Sequence, residues 1–233
     1  MKLAIMQPYL FPYIGYFQLL NIVDKFIIYD DVNFINKGWI NRNNILVNNK
    51  ASMFTVPLKE ASQNKLIKDI NVVNDNKWAS KLMKSIELSY KKSPYFENVY
   101  PIVVNVIDGF SGSISTMAYD SIIQVSQYLE IYTNVVESSS VYNNAYLKGQ
   151  DRILDICSKE KADCYINPIG GIDLYNKNEF NDRNIQLSFI KSNNVAYSQN
   201  SIEFVASLSI IDVLMNNSID QVKCLLSQFT LIK

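Results

Sequence analysis

Apolar residues near the start of the chain fall into two short runs, Lys2–Met6 (KLAIM) and Lys25–Tyr29 (KFIIY), and each reads as a buried strand. Gln7–Pro12 between them is a loop, because each proline disfavours helix in the residue before it. From Tyr13 the spacing changes. Ile14, Phe17 and Leu20 recur at helical intervals, which predicts a helix over Tyr13–Val23. Strand, loop, helix and strand within about thirty residues make a βαβ unit, whose strands lie parallel and whose crossover is right-handed.

Polar and apolar residues then alternate from Asp30 to Leu58. The pattern predicts a hairpin of Ile40–Val47 and Ser52–Val56 with its tip at Asn48-Asn49-Lys50. Asp75–Lys91 reads as a helix with Trp78, Leu82, Ile86 and Tyr90 on one face, Pro94 opens another element, and Ile114–Leu129 is a longer helix. Strands are expected at Thr133–Glu137, Asp163–Asn167 and Ile185–Lys191, with a helix at Gly149–Lys161. Ser209–Met215 and Asp220–Phe229 read as closing helices. No internal repeat or linker interrupts the series. The expectation is one α/β domain over residues 1–233, with a mostly parallel sheet and a β-hairpin inserted at about residues 38–60.

Composition narrows the function classes. Lys plus Arg and Asp plus Glu number 22 each, so no charge excess points to nucleic acid or to an anionic membrane. No apolar run reaches the roughly 20 residues of a membrane span, and Pro8 interrupts the start where a secretory signal would need an unbroken apolar stretch. The three cysteines, Cys157, Cys164 and Cys224, lack metal-type spacing and read as reduced thiols of a cytoplasmic protein. There is no histidine. Ser-His-Asp triads, Cys-His pairs and His-ligated zinc are therefore excluded, and acid–base work falls to Asp, Glu, Lys, Tyr or Cys.

Three segments carry candidate chemistry, each just past a predicted parallel strand. In open α/β sheets that edge is where ligands bind. Asp30-Asp31 is followed by NKGWINRN (Asn36–Asn43), which groups Lys37, Trp39, Asn41, Arg42 and Asn43. Arg grips phosphate or carboxylate, Lys adds a mobile charge, and Trp stacks on a base or a sugar ring. The paired aspartates suit proton acceptance or Mg²⁺, although turn capping and a surface pairing with Lys37 or Arg42 explain them equally simply. Ser138 and Ser139 follow the middle strand, ahead of a helix start bearing Asp151 and Arg152. That arrangement suits an anion or a hydroxylated ligand, or plain capping. Asn167–Gly171 holds the adjacent pair Gly170-Gly171, with Tyr175 close behind. Glycines admit a ligand close to the backbone, as they admit an ordinary turn. At the first strand, Gln7 is a polar side chain where an apolar one would pack better, and Pro8 and Tyr9 follow it in the turn.

Taken in order, MQPYLFPYIGYFQLL (Met6–Leu20), DDVNF, W-x-N-R-N (Trp39–Asn43), the Ser138-Ser139 pair, DRILDIC (Asp151–Cys157), YINPIGG-x-x-x-Y (Tyr165–Tyr175) and LSIID (Leu208–Asp212) resemble the WbqC-like protein family nearly end to end. Its members are associated with bacterial surface-polysaccharide gene clusters. The resemblance therefore implies a cytoplasmic enzyme acting near nucleotide-activated sugars. The opening strand–turn–helix also resembles nucleotidyltransferase-like, Rossmann-like α/β folds. Those carry a His-x-x-His-type signature for ATP phosphates, which this chain lacks.

The expectation is a transferase that modifies a nucleotide-linked amino sugar for O-antigen-type polysaccharide, by N-acyl or aminoacyl transfer. An ATP-dependent ligase or nucleotidylyltransferase-like enzyme is one alternative, and a non-catalytic nucleotide-sugar-binding protein is another. Acyl-CoA and Mg²⁺-ATP are the co-reactants these readings would use. Asp30, Asp31 and Lys37 are assigned to catalysis. Gln7, Pro8, Tyr9, Trp39, Asn41, Arg42, Asn43, Ser138, Ser139, Asp151, Arg152, Gly170, Gly171 and Tyr175 are assigned to substrate binding. The placement of these segments predicts that Gln7, the Asp pair, the Ser pair and Gly170 line one pocket.

Overall fold

The computed structural model describes residues 1–193 and 195–232. The strands β1 (Lys2–Met6) and β2 (Lys25–Ile28) are parallel neighbours joined by helix α1 (Ile14–Ile22), as the pattern predicts. The six-stranded sheet also contains β5 (Asn134–Val136), β6 (Cys164–Pro168), β7 (Gln186–Ser192) and β8 (Phe229–Ile232), in the order β5-β2-β1-β6-β7-β8. All neighbours pair in parallel except β7 and β8. The chain winds outward from β1 to β2 and β5, then returns to the other side of β1 for β6 and β7. A fixed crossover hand then places the helices of the two halves on opposite faces, and the order reverses between β1 and β6.

Side chains alternate accordingly. Leu3 and Ile5 of β1 join a core with Leu154 and Ile156 of α5 (Gly149–Lys159) and Phe180 of α6 (Lys177–Asn181). Ala4 joins a larger core on the other face, with α1, α2 (Asn76–Tyr90), α3 (Phe96–Ile107), α4 (Ile114–Tyr128), α7 (Ile210–Asn216) and α8 (Ile219–Leu226). Helix α1 is buried all round from Gly15 to Leu20. Its one polar residue in that run, Gln18, donates to the carbonyls of Leu225 (2.9 Å) and Gln228 (3.0 Å), and so caps the end of α8.

The hairpin is a separate two-stranded sheet of β3 (Arg42–Val47) and β4 (Lys50–Thr55). Its turn is Asn48-Asn49, both left-handed (φ 50° and 63°), so Lys50 lies in the strand instead of at the tip. The hairpin docks through Leu46 N–H, which donates to the Tyr90 hydroxyl (2.8 Å), and Asn44 C=O, which accepts from Ser209 N–H (2.8 Å). Tyr90 in turn donates to the buried carboxylate of Asp212 (2.9 Å).

Three differences stand out from the sequence pattern. The element after Pro94 is the helix α3, which tolerates Pro101 inside it. The helix expected at Asp220–Phe229 ends at Leu226, and Phe229 begins β8, an antiparallel edge strand. Four residues are too few to show a period of two. Helix α6, of five residues, escapes for the same reason.

Candidate functional site

At the carboxyl edge of the sheet, β2 passes through Tyr29 into Asp30 and Asp31, and β5 passes through Glu137 into Ser138 and Ser139. The two ends bond directly. Asp30 accepts from Ser138 Oγ (2.7 Å) and Ser139 N–H (3.2 Å) at Oδ1, and from Ser115 Oγ of α4 (3.0 Å) at Oδ2. Asp31 accepts from Ser139 Oγ at Oδ1 and from Arg152 Nη2 (2.5 Å) at Oδ2. Arg152 also donates to the Asp31 carbonyl (3.2 Å) and to Asn144 Oδ1 (2.9 Å), and its guanidinium lies 4.9 Å from the centre of the Tyr29 ring.

This cluster is closed. Asp30, Asp31, Ser139 and Arg152 are 3%, 6%, 0% and 3% exposed, and all four carboxylate oxygens hold protein donors. The ends of β2 and β5 meet, but as a buried hydrogen-bond network in which Gln7 and Gly170 take no part, so the expected common pocket of Gln7, the Asp pair, the Ser pair and Gly170 is not formed. A carboxylate in that position ties strand ends together. Buried this deeply, it is out of reach of a substrate amine unless the surrounding elements part.

The open space lies nearby, around the loop that follows β1. A cleft of about 370 Å³ is lined by Tyr9, Pro12, Tyr13, Trp39, Asn43 and Ser207. Tyr13 and Trp39 are 39% and 44% exposed, so both rings can be reached from solvent. Pro8 is buried, Gln7 is half-buried, and the Gln7 carbonyl accepts from Tyr16 OH (3.1 Å). Tyr9 leans on Tyr16 with ring centres 5.8 Å apart. Burial, and then Tyr13, raises the Tyr9 hydroxyl; burial also raises that of Tyr13. Both stay protonated at neutral pH and can donate hydrogen bonds.

The loop is held in place at Phe11, a buried residue with left-handed backbone (φ 42°). Its carbonyl accepts from Asn43 Nδ2 (2.7 Å) and Ser209 Oγ (2.7 Å), and its N–H donates to Ser121 Oγ (3.1 Å). Asn43 therefore turns its amide into the protein, although its residue borders the cleft.

Arg42 departs from the expected phosphate grip. Its Nε donates to the Gly38 carbonyl (2.8 Å), its Nη2 donates to the Lys37 carbonyl, and its guanidinium sits 5.8 Å from the Trp39 ring centre. Two faces of the fork are spent on the backbone, so Arg42 clamps the Lys37–Trp39 turn and steadies Trp39. Lys37 is exposed with left-handed backbone (φ 60°). Asn41 donates to the Val56 carbonyl (2.8 Å). Lys37, Asn41 and Arg42 border a separate cleft of about 280 Å³, shared with Thr55 and Pro57.

The remaining expected site residues make no hydrogen bond to the Asp30-Asp31 network. Asp151 is exposed in the first turn of α5, where its charge complements the helix dipole. Gly170 is exposed with open space where a side chain would be. Gly171 is buried against Asn167, whose Nδ2 lies 2.2 Å from where an added Cβ would sit and would have to shift to admit one. Tyr175 is half-buried, with its hydroxyl 3.2 Å from that of Tyr165, which donates to Asn167 Oδ1 (3.2 Å). Cys157 is buried and its thiol is pushed up to about 12 by that burial, which leaves it protonated and inert. Among the described residues, no three of His, Cys, Asp and Glu gather as metal ligands would, and no helix is long and apolar enough to cross a membrane.

Pro12, Tyr13 and Ser207 were not singled out in the sequence, and neither was Asn144. The first two stand in the opening aromatic stretch and were legible there. Ser207 lies in an irregular segment with no motif.

The model of the WbqC-like protein family matches residues 7–224. The chain belongs to the WbqC-like family. A protein of Mycobacterium tuberculosis (strain ATCC 25618 / H37Rv), described as "Uncharacterized protein Rv1507c", is 24% identical over 219 residues, which cover 92% of this chain and 93% of that protein. No solved structure matches. The family match spans both the closed network and the aromatic cleft, so the two features sit within one matched unit of the WbqC-like family.

Proposed function

We propose that this WbqC-like protein is a cytoplasmic transferase that modifies a nucleotide-linked amino sugar, by N-acyl or aminoacyl transfer, in the assembly of a bacterial surface polysaccharide such as O-antigen. The family points as far as polysaccharide biosynthesis. The observation that carries the rest is the aromatic cleft. Tyr9, Tyr13 and Trp39 line a space large enough for a sugar ring or a nucleobase. Lys37, at the neighbouring cleft, supplies a free charge for a phosphate. In the transfer, the sugar amine attacks the acyl carbonyl carbon of acyl-CoA. A C–N bond forms, the C–S bond breaks, and the departing thiolate takes up the proton that the amine loses.

One observation favours a second reading, a nucleotide-sugar-binding protein without turnover. The aspartates assigned to catalysis are buried and already hold protein donors at every oxygen. The test is thermal shift and calorimetry with nucleotide sugars, alone and with acyl-CoA or Mg²⁺-ATP, on the parent and on Trp39→Ala. A ligand at one hundred times its dissociation constant stabilises by about 2.7 kcal/mol. The proposal expects a nucleotide sugar to bind, Trp39→Ala to weaken it at least tenfold, and acyl-CoA to be consumed. Binding without consumption of any co-reactant supports the second reading. Binding that ignores Trp39→Ala removes the cleft from both.

A further inference from the structure

The zero net charge of the chain conceals an uneven distribution. Residues 76–92, helix α2 and the two lysines after it, hold five of the 22 basic residues and one of the 22 acidic ones, so the rest of the chain carries a net charge of −4. The sequence shows no basic run over α2 itself, because its lysines are spaced three or four apart. The helix gathers them. At about 3.6 residues per turn, Lys77, Lys81, Lys84, Lys91 and Lys92 fall within an arc of about 100°. That arc is opposite the buried Ala79, Leu82, Ile86 and Tyr90. All five lysines are exposed, and among the described residues none of them has an ion-pair partner. The Tyr90 hydroxyl donates to Asp212 and accepts from Leu46 N–H, which fixes the rotation of the helix and holds the lysine face outward.

Leu88 stands in the middle of this face. Lys84 lies one turn before it and Lys91 and Lys92 one turn after, and Leu88 is 59% exposed. It also borders a cleft shared with the Asn48-Asn49 turn of the hairpin. There Ile202, 90% exposed, donates its N–H to Asn49 Oδ1 (3.3 Å), and the exposed Lys50 adds a further charge. Glu87, on the flank of the helix, and Glu203, after Ile202, are the acidic residues of these segments.

We propose that this face docks on an anionic lipid surface, with Leu88 and Ile202 entering the headgroup layer between lysines that stay with the phosphates. Lipid fits better than a soluble polyanion on two grounds. The charges are all lysine, compact point charges on long stems that suit a diffuse layer of headgroups, and the three arginines of the chain, which would grip single phosphates or carboxylates in pairs of bonds, lie elsewhere. The exposed aliphatic side chains gain from an acyl boundary and gain nothing from a nucleic acid or an acidic peptide. The negative remainder of the molecule is repelled by the same surface, which orients the approach. Strand β3 runs from Asn43, at the aromatic cleft, to the Asn48 turn, at this face. Docking therefore holds the cleft about 17 Å, five strand residues, from the docked turn. The proposal is independent of what the cleft binds.

The test is co-sedimentation of the full chain with vesicles of phosphatidylcholine, alone or with about 30% phosphatidylserine, at about 0.1 M and about 0.5 M salt. Binding is expected to the charged vesicles only, and to be lost at the higher salt. Each lysine charge removed should weaken it about fivefold, so Lys81→Gln with Lys84→Gln should weaken it about 25-fold. Leu88→Ser should weaken it severalfold. Lys161→Gln with Lys177→Gln, two exposed lysines beside α5 and α6, should bind like the parent. Every substituted side chain is exposed, so all variants should melt with the parent. No binding to the charged vesicles, or binding that the α2 variants leave unchanged, would overturn the proposal. So would tighter binding to an RNA oligonucleotide or a polyglutamate peptide that ignores Leu88→Ser, which would give the face to a soluble polyanion.

Discussion

Asn43 and Ser209 both spend their side chains on one carbonyl, that of Phe11. A left-handed residue other than glycine costs roughly 1–2 kcal/mol, and these two bonds, with the N–H of Phe11 on Ser121, are what hold it. Asn43→Ala leaves the Phe11 and Leu10 carbonyls short of a buried donor. It should cost about 1–3 kcal/mol in denaturant unfolding and weaken any ligand of the aromatic cleft, since Tyr9, Pro12 and Tyr13 hang from this loop. An unchanged midpoint would show that the bond is idle. Side-chain chemistry at this scale was half legible. Trp39 and Tyr9 advertised themselves as rings in a polar or proline-rich loop. Arg42 advertised an anion site, and the structure spends it on the carbonyls of Lys37 and Gly38. A backbone carbonyl belongs to every residue type, so no sequence signal distinguishes that partner from a phosphate.

Elements were legible where their period is long enough to repeat. Helix α2 and the Asn48-Asn49 hairpin fall where the pattern puts them, whereas β8 and α6 are too short to show a period. Helix α5 shows what an element needs beyond its period. At its C-terminus Glu160 accepts from Lys25 Nζ of β2 (2.5 Å) and from the Tyr142 hydroxyl (2.5 Å). Burial by itself would raise this carboxyl, but the bond from Lys25, the bond from Tyr142 and the Lys25 charge outweigh it and hold Glu160 below its ordinary 4.5. A depressed folded value stabilises the fold above the unfolded value and is lost as pH falls through the folded one. Glu160→Gln should therefore be less stable than the parent at neutral pH, by roughly 1–3 kcal/mol, and the gap should close as pH drops below 4.5. A gap constant with pH would assign the effect to packing instead of charge.

At the scale of the molecule, Asp30 and Asp31 join the two sides of the sheet. Asp30 accepts from Ser115 on α4, which packs on one face, and Asp31 pairs with Arg152 on α5, which packs on the other. Arg152→Ala strands a buried carboxylate and should cost about 3–5 kcal/mol, whereas the double variant Arg152→Met with Asp31→Asn should recover most of it. Turnover lost without any change in melting temperature would instead return the pair to catalysis. The sheet edge shared by these segments followed from their places after parallel strands. What did not follow was which of them would be sealed, because sealing depends on α4 and α5 arriving from opposite sides. Phe11 carries this dependence furthest. Its three holders lie 32, 110 and 198 residues along the chain. A chain still on the ribosome without Ser209 can form β1 and α1, but it cannot lock the loop between them. The cleft is thus completed only once Ser207 and Ser209 have been made, and a shorter nascent chain presents it without that wall and with one holder of the loop missing.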